Sequence, residues 1–168
     1  MIRTTMALLL ALLLLISAVP VSGTELAKEG SGEYRSGKSG TSTVMVMGKE
    51  RVQMNFEQIG VVVSAPENSP FHNATFRVLG TLHGIKGKWK ATSFVEYTCT
   101  NGDKIYATSE AQGVQGGPDS GSLKFVGGTG ACAGIEGSIE YSGTPGIKPA
   151  KKGMHQGISV GKVTWKIP

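Results

Sequence analysis

Beyond Ser42 the chain repeats one local pattern: apolar and polar residues alternate for a short run, a glycine or proline interrupts, and the alternation resumes. Successive side chains of an extended chain point to opposite faces, so a period of two predicts strands rather than helices. The runs begin with TSTVMVM (41–47), RVQMNFEQIGVVV (51–63), ATFRVLGTLHG (74–84) and KWKATSFVEYTCT (88–100). They continue with DKIYATSEAQG (103–113), SGSLKFVGG (120–128), GSIEYSG (137–143) and GISVGKVTWKIP (157–168), which makes eight strands. No stretch keeps helical spacing over several turns without a glycine inside it. Asn101-Gly102 tolerates positive φ at both positions and predicts a two-residue type I′ hairpin. That register pairs Cys99 with Lys104, Tyr97 with Tyr106 and Val95 with Thr108, and it leaves both faces of the hairpin mixed. A helix-free chain with evenly spaced strands hides its sheet edges by closing a barrel or by packing two sheets. The expected fold is all-β: a single eight-stranded antiparallel β-barrel, wide enough to be filled by side chains or to hold one small ligand.

The first residues do not fit that pattern. Arg3 precedes an apolar run from Met6 to Val19, which Pro20 breaks ahead of Val21 and Gly23. A positive start, a short apolar run and small residues predict a cleaved secretory signal peptide over 1–23, since a spanning helix needs about 20 apolar residues. Residues 24–42 are rich in Gly, Ser, Lys and Glu. They predict a flexible lead-in, with one short strand near Glu33 and Tyr34, before a barrel domain over 43–168. Export places the protein in the periplasm or outside the cell, with no membrane span in the mature form. It also gives the two cysteines, Cys99 and Cys132, an oxidising setting. They predict one disulfide; two buried free thiols are the alternative.

Charge adds little at this level. The formal net charge is +5 and falls by one when Arg3 is removed. Lys86, Lys88 and Lys90 alternate in one stretch, and Lys148, Lys151 and Lys152 cluster in another. They read as solvated lysines that keep strand edges from pairing, ahead of an anionic surface or nucleic acid. No aromatic-rich platform accompanies either cluster, so nucleic acid is not an expected partner.

The segment FVGGTGACAGIEG (125–137) poses a sharper question, because Gly128, Gly130 and Ala133 match the G-x-G-x-x-G/A spacing of dinucleotide-binding loops. That chemistry needs a helix to open at the loop and present its N–H groups to phosphate. Here Gly134, Gly137 and Gly143 follow, and Ile139 and Tyr141 alternate as in a strand. The glycines are therefore expected to bend the chain through 131–133 and return it as the next strand.

The stretch GGTGACAGIEGSIEY resembles the glycine motif of the allene oxide cyclase and dirigent-protein β-barrel superfamily. More specifically, it resembles an exported bacterial branch of that group without an assigned role. FEQIGVVVSAPENSPFHNATFRVLG (56–80), EYTCTNGDKIY (96–106) and GKVTWKI (161–167) are similar to further strands of the branch, so the resemblance spans roughly Val44 to Ile167. Cys132 stands where the wider group usually has an aromatic ring, which implies a disulfide to Cys99 in place of that ring. The resemblance implies an eight-stranded barrel, often a dimer or trimer. Plant members hold a hydrophobic small molecule inside, an unsaturated fatty-acid epoxide or a phenolic radical product, and steer its cyclisation or coupling by confinement.

Among chemistry-bearing residues, Glu96 and Arg77 sit mid-strand among apolar neighbours. Pointing inward, they would orient a ligand carboxylate or donate a proton; facing water, they would be ordinary strand exteriors. His72, His83 and His155 show no zinc-ligand spacing, and the acids form no calcium loop, so neither a metal nor a cofactor is expected. The expected function is binding of a small hydrophobic ligand, or a structural surface role. The alternative is an isomerase or cyclase acting on an oxidised lipid.

Overall fold

The computed structural model describes residues 26–145 and 147–168; the expected signal peptide lies outside them. Eight strands follow one another as β1 (Glu29–Val46), β2 (Arg51–Ser64), β3 (Thr75–Ile85), β4 (Lys88–Thr98), β5 (Lys104–Val114), β6 (Asp119–Gly128), β7 (Glu136–Gly143) and β8 (Met154–Lys166). Each pairs antiparallel with the next, and β8 returns to pair with β1, so the sheet closes without an edge. The all-β barrel expected from alternation is the fold observed. Among the described residues, no helix is long and apolar enough to cross a membrane.

The glycine segment behaves as a bend. β6 ends at Gly128, a single 3-10 turn spans Gly130–Cys132, and β7 begins at Glu136. Gly130 has φ 52°, and the Asp103 carboxylate occupies the space a side chain would need there. That carboxylate accepts the Ala131 N–H at 2.9 Å. The residue at 130 thus has no room for a Cβ and adopts a backbone conformation that glycine tolerates best.

Two local expectations need correction. β1 is an 18-residue strand, so most of the polar stretch assigned to a lead-in is barrel wall. Its inward residues Ser36, Lys38 and Gly40 are small or polar, which hides the alternation by which strands are recognised. The hairpin between β4 and β5 is also one residue longer than Asn101-Gly102 suggests. Gly102 N–H donates to the Cys99 carbonyl at 2.9 Å and Cys99 N–H to the Asp103 carbonyl at 2.8 Å. Positive φ occurs at Gly102 (88°) and not at Asn101. This is a three-residue loop with glycine in the left-handed position. Asn101 Oδ1 accepts the Asp103 N–H at 3.0 Å, and its amide donates to the Asp103 carboxylate at 2.7 Å. The register becomes Tyr97 with Ile105 and Val95 with Ala107. A one-residue slip moves a strand's side chains to the opposite face. It gathers Val95, Tyr97, Ile105 and Ala107 inside, all at most 4% exposed, and sends Phe94, Glu96 and Tyr106 out.

Glycine recurs because interior aromatics lie across it. Trp165, Phe76, Phe56, Trp89 and Tyr141 each cover the space a Cβ would fill at a directly paired residue: Gly30, Gly60, Gly80, Gly113 and Gly121 respectively. A methyl group at Gly60 would meet both the Phe76 ring and the Gly37 carbonyl. Gly60→Ala is expected to destabilise the barrel by about 1–3 kcal/mol through overpacking, seen as a lower denaturant midpoint with an unchanged slope.

Candidate functional site

The interior divides into two unequal halves. At the end bearing the β2–β3 loop, the β4–β5 hairpin and the C-terminus, large side chains fill it: Phe76, Ile105, Phe125, Ile139, Val163 and Trp165. Phe71, from the loop between β2 and β3, closes that end. It is fully buried, stacked on Phe125 at 5.1 Å and edge-on to Tyr97 at 5.4 Å. Toward the other end the inward positions carry Gly84, Ala91, Ser93, Ala111 and Gly143. Side chains this small cannot span an eight-stranded barrel. What remains is a cavity of about 1010 Å³ that opens among the β1–β2, β3–β4 and β5–β6 turns.

Its walls are apolar, with Val44, Met54, Phe56, Val78, Leu82 and Trp89 around the circumference. Its floor is polar. Tyr34 and Tyr97 share a hydrogen bond of 3.1 Å between their hydroxyls, directly above the packed half. Burial raises the pKa of both phenols, that of Tyr97 well above the ordinary value. Tyr141 is raised by burial as well. All three are neutral hydroxyls at physiological pH, able to donate or accept.

Lys38 enters this floor from β1. Gly157, its direct partner on β8, leaves room for the lysine stem, and Nζ lies 5.5 Å from the centre of the Tyr141 ring. Among the described residues no carboxylate lies within salt-bridge distance of it. Burial lowers its pKa, and the negative charge of Asp119 offsets part of that effect. Asp119 also lines the cavity, with a buried Oδ1 that accepts no hydrogen bond. A desolvated cation without a full partner favours any guest that brings it an acceptor or a negative charge.

His155, opposite Gly40, completes the polar wall, and Gln58 lies 2.9 Å from its Nε2. An amide nitrogen only donates, so the imidazole accepts through Nε2 and carries its proton on Nδ1, the neutral form. Burial, and then the charge of Lys38, lower the His155 pKa. A base whose pKa falls on folding binds more protons when unfolded. Its contribution is complete above the ordinary histidine value, about 6.5, and is lost as pH falls through the folded value. Stability between about pH 7 and pH 5 should therefore drop less steeply in His155→Asn than in the unaltered protein, as measured by denaturant titration at each pH.

The residues singled out from sequence lie elsewhere. Arg77 and Glu96 face outward on β3 and β4, the second of the two placements open to them from sequence, so neither lines the cavity. Arg77 Nε pairs with Glu57 at 2.7 Å, and Lys104 Nζ pairs with Glu96 at 2.9 Å, all four side chains being substantially exposed. The physical cause for Glu96 is the hairpin register, which puts Val95 and Tyr97 inside. Cys99 and Cys132 do come together. Their sulfurs are 3.8 Å apart, buried and unbonded, and the hydrogen bond to Cys132 together with burial raises the Cys99 thiol. They lie at the closed end, away from the cavity lining. Lys38, Asp119, Tyr141 and His155 carry no spacing signal, because four different strands supply them and only barrel closure brings them together.

Fold and site thus define a small closed barrel with one filled half and one hollow half. No protein-family model matches the chain, and no curated protein matches it. Among solved structures, the chain is similar to the pterocarpan synthase dirigent protein GePTS1. The TM-score is 0.49 and the identity 11%, over 91% of this chain and 99% of that one.

Proposed function

We propose that the protein is an exported carrier or receptor that holds one small apolar molecule, with a polar or anionic end, inside the hollow half of the barrel. The observation that carries this reading is the cavity itself. Ligand sites typically enclose about 300–1,000 Å³, with apolar walls and a few convergent polar groups. This cavity is of that size, and its polar groups converge at the floor. A guest enters tail-outward: its polar end meets Lys38 and the tyrosine hydroxyls, and its body lies along Met54, Phe56, Leu82 and Trp89. A purely structural barrel has no use for a hollow that forfeits packing contacts.

Native mass spectrometry of protein purified from its own host tests the reading. One small molecule per chain, released by organic solvent, is the expected result. A bare chain that also takes up no hydrophobic dye overturns it. In the same exported setting we infer that Cys99 and Cys132 form a disulfide. Unfolded protein from the host should then react with a thiol reagent only after reduction.

A catalytic reading, isomerisation of a confined lipid, has one observation on its side: Asp119 is an inward acid beside an apolar cavity. Conversion of an unsaturated epoxy fatty acid, lost in Asp119→Asn and retained in Glu96→Gln, would support it.

A further inference from the structure

The lysine clusters that are separate in sequence share one end of the barrel, the end at which the cavity opens. Lys49 and Arg51 flank the β1–β2 turn, Lys86 and Lys88 the β3–β4 turn, and Lys148, Lys151 and Lys152 belong to the loop joining β7 to β8; all are exposed. The turns form one continuous rim. Lys86 N–H donates to the Glu50 carbonyl at 2.9 Å, and Gln115 N–H donates to the Gly87 carbonyl at 2.8 Å. Glu50 on this rim pairs with Lys86 at 3.7 Å, and Asp119, at the start of β6, faces the cavity inside it. The closed end carries Glu29, Glu67, Asp103 and Glu136 alongside Lys28, Lys104 and Lys166. The barrel is therefore electrically lopsided, positive around its mouth.

The same rim exposes apolar side chains that a solvated lip would not need. Met45 is 65% exposed, Val46 73%, Met47 42%, Ile85 40% and Val114 41%. Basic residues interleaved with exposed apolar ones match the two layers of an anionic bilayer: charged headgroups outside and acyl chains beneath. A nucleic acid would satisfy the lysines alone and would leave the methionines in water.

We propose that the mouth of the barrel docks on an anionic lipid bilayer, with Met45 and Met47 entering the headgroup boundary. Docking seats the cavity entrance over the acyl layer, so an apolar guest passes between membrane and barrel without crossing water. The inference goes beyond the cavity reading and can fail independently of it.

Co-sedimentation of host-processed protein with vesicles tests it, using three parts phosphatidylcholine to one part phosphatidylglycerol against phosphatidylcholine alone. Binding to the anionic vesicles only, weakening as salt rises, is expected. Each rim lysine contributes about a fivefold factor in partitioning, so reversing Lys49, Lys88, Lys151 and Lys152 to Glu together should reduce binding at least a hundredfold. A cooperative thermal unfolding transition in that variant should remain, which shows that the barrel is folded. Met45→Ser with Met47→Ser should weaken vesicle binding several-fold while leaving binding to heparin unaltered. Failure of the unaltered protein to sediment at low salt, or full sedimentation of the fourfold variant, overturns the proposal. So does a duplex DNA that outcompetes anionic vesicles with no effect of the methionine changes. Docking without dye uptake would instead count against the cavity reading and leave the membrane surface standing.

Discussion

Phe71→Ala is expected to cost about 3–5 kcal/mol of folding free energy, the range for removing a fully buried phenylalanine. The ring contributes more than area. It is stacked against Phe125 and edge-on to Tyr97, so its loss also leaves the Tyr34–Tyr97 floor without support from below. The loop that carries it is also held by the Ala27 N–H, which donates to the Asn68 carbonyl at 2.9 Å, and by the buried Ser69, Pro70 and Ala74. Phe71 is nonetheless its largest buried side chain. Ser69 N–H donates to the Pro66 carbonyl at 2.9 Å and Ala74 N–H to the Phe71 carbonyl at 3.1 Å, but no ladder holds the segment. Urea unfolding should show a large fall in midpoint, and dye uptake should weaken as the floor loosens. A loss below about 1 kcal/mol would mean that the packed half collapses around the gap, and that Phe71 is no plug.

Lys38→Met is expected to act in opposite directions on stability and on binding. Removing a desolvated ammonium without a salt-bridge partner should stabilise the fold by roughly 1–2 kcal/mol, or a few degrees in melting temperature for a chain of this size. Affinity for an anionic guest should fall tenfold or more, since a hydrogen bond to a charged group contributes about 1.5–3 kcal/mol. A neutral apolar guest should bind as before. The comparison of the two guests, by calorimetry, isolates the charge from the lost shape. Equal loss for both would show that the lysine stem, packed across Gly157, matters more than its charge.

The fold was legible where interior residues are apolar and exterior ones polar. Seven of the eight runs in the sequence match strands closely, and the glycine segment was recognisable as a bend because nothing after it could start a helix. Legibility failed at β1, whose interior residues line a polar floor and therefore look like a linker. It failed again at the β4–β5 hairpin, where Asp103 draws Asn101 into a longer turn and a single residue decides which face carries Glu96. The site was beyond reach for a different reason. Lys38 and His155 meet only because β8 closes on β1, and the hollow exists only because small inward residues share one half of the barrel. Neither fact is local in sequence. Nor did anything in the sequence link each interior aromatic residue to a glycine on the neighbouring strand.

The central claim is that the mouth half of the barrel is empty space built to be occupied, and blocking that space tests it most directly. Ala91 lies on the inner wall of β4 and is 9% exposed; a tryptophan there would project into the cavity. Fluorescence titration with an apolar probe should give uptake of one molecule per chain in the unaltered protein. Uptake should be abolished in Ala91→Trp, with thermal unfolding at the same temperature or higher. No uptake by the unaltered protein, or undiminished uptake by Ala91→Trp, would contradict the account.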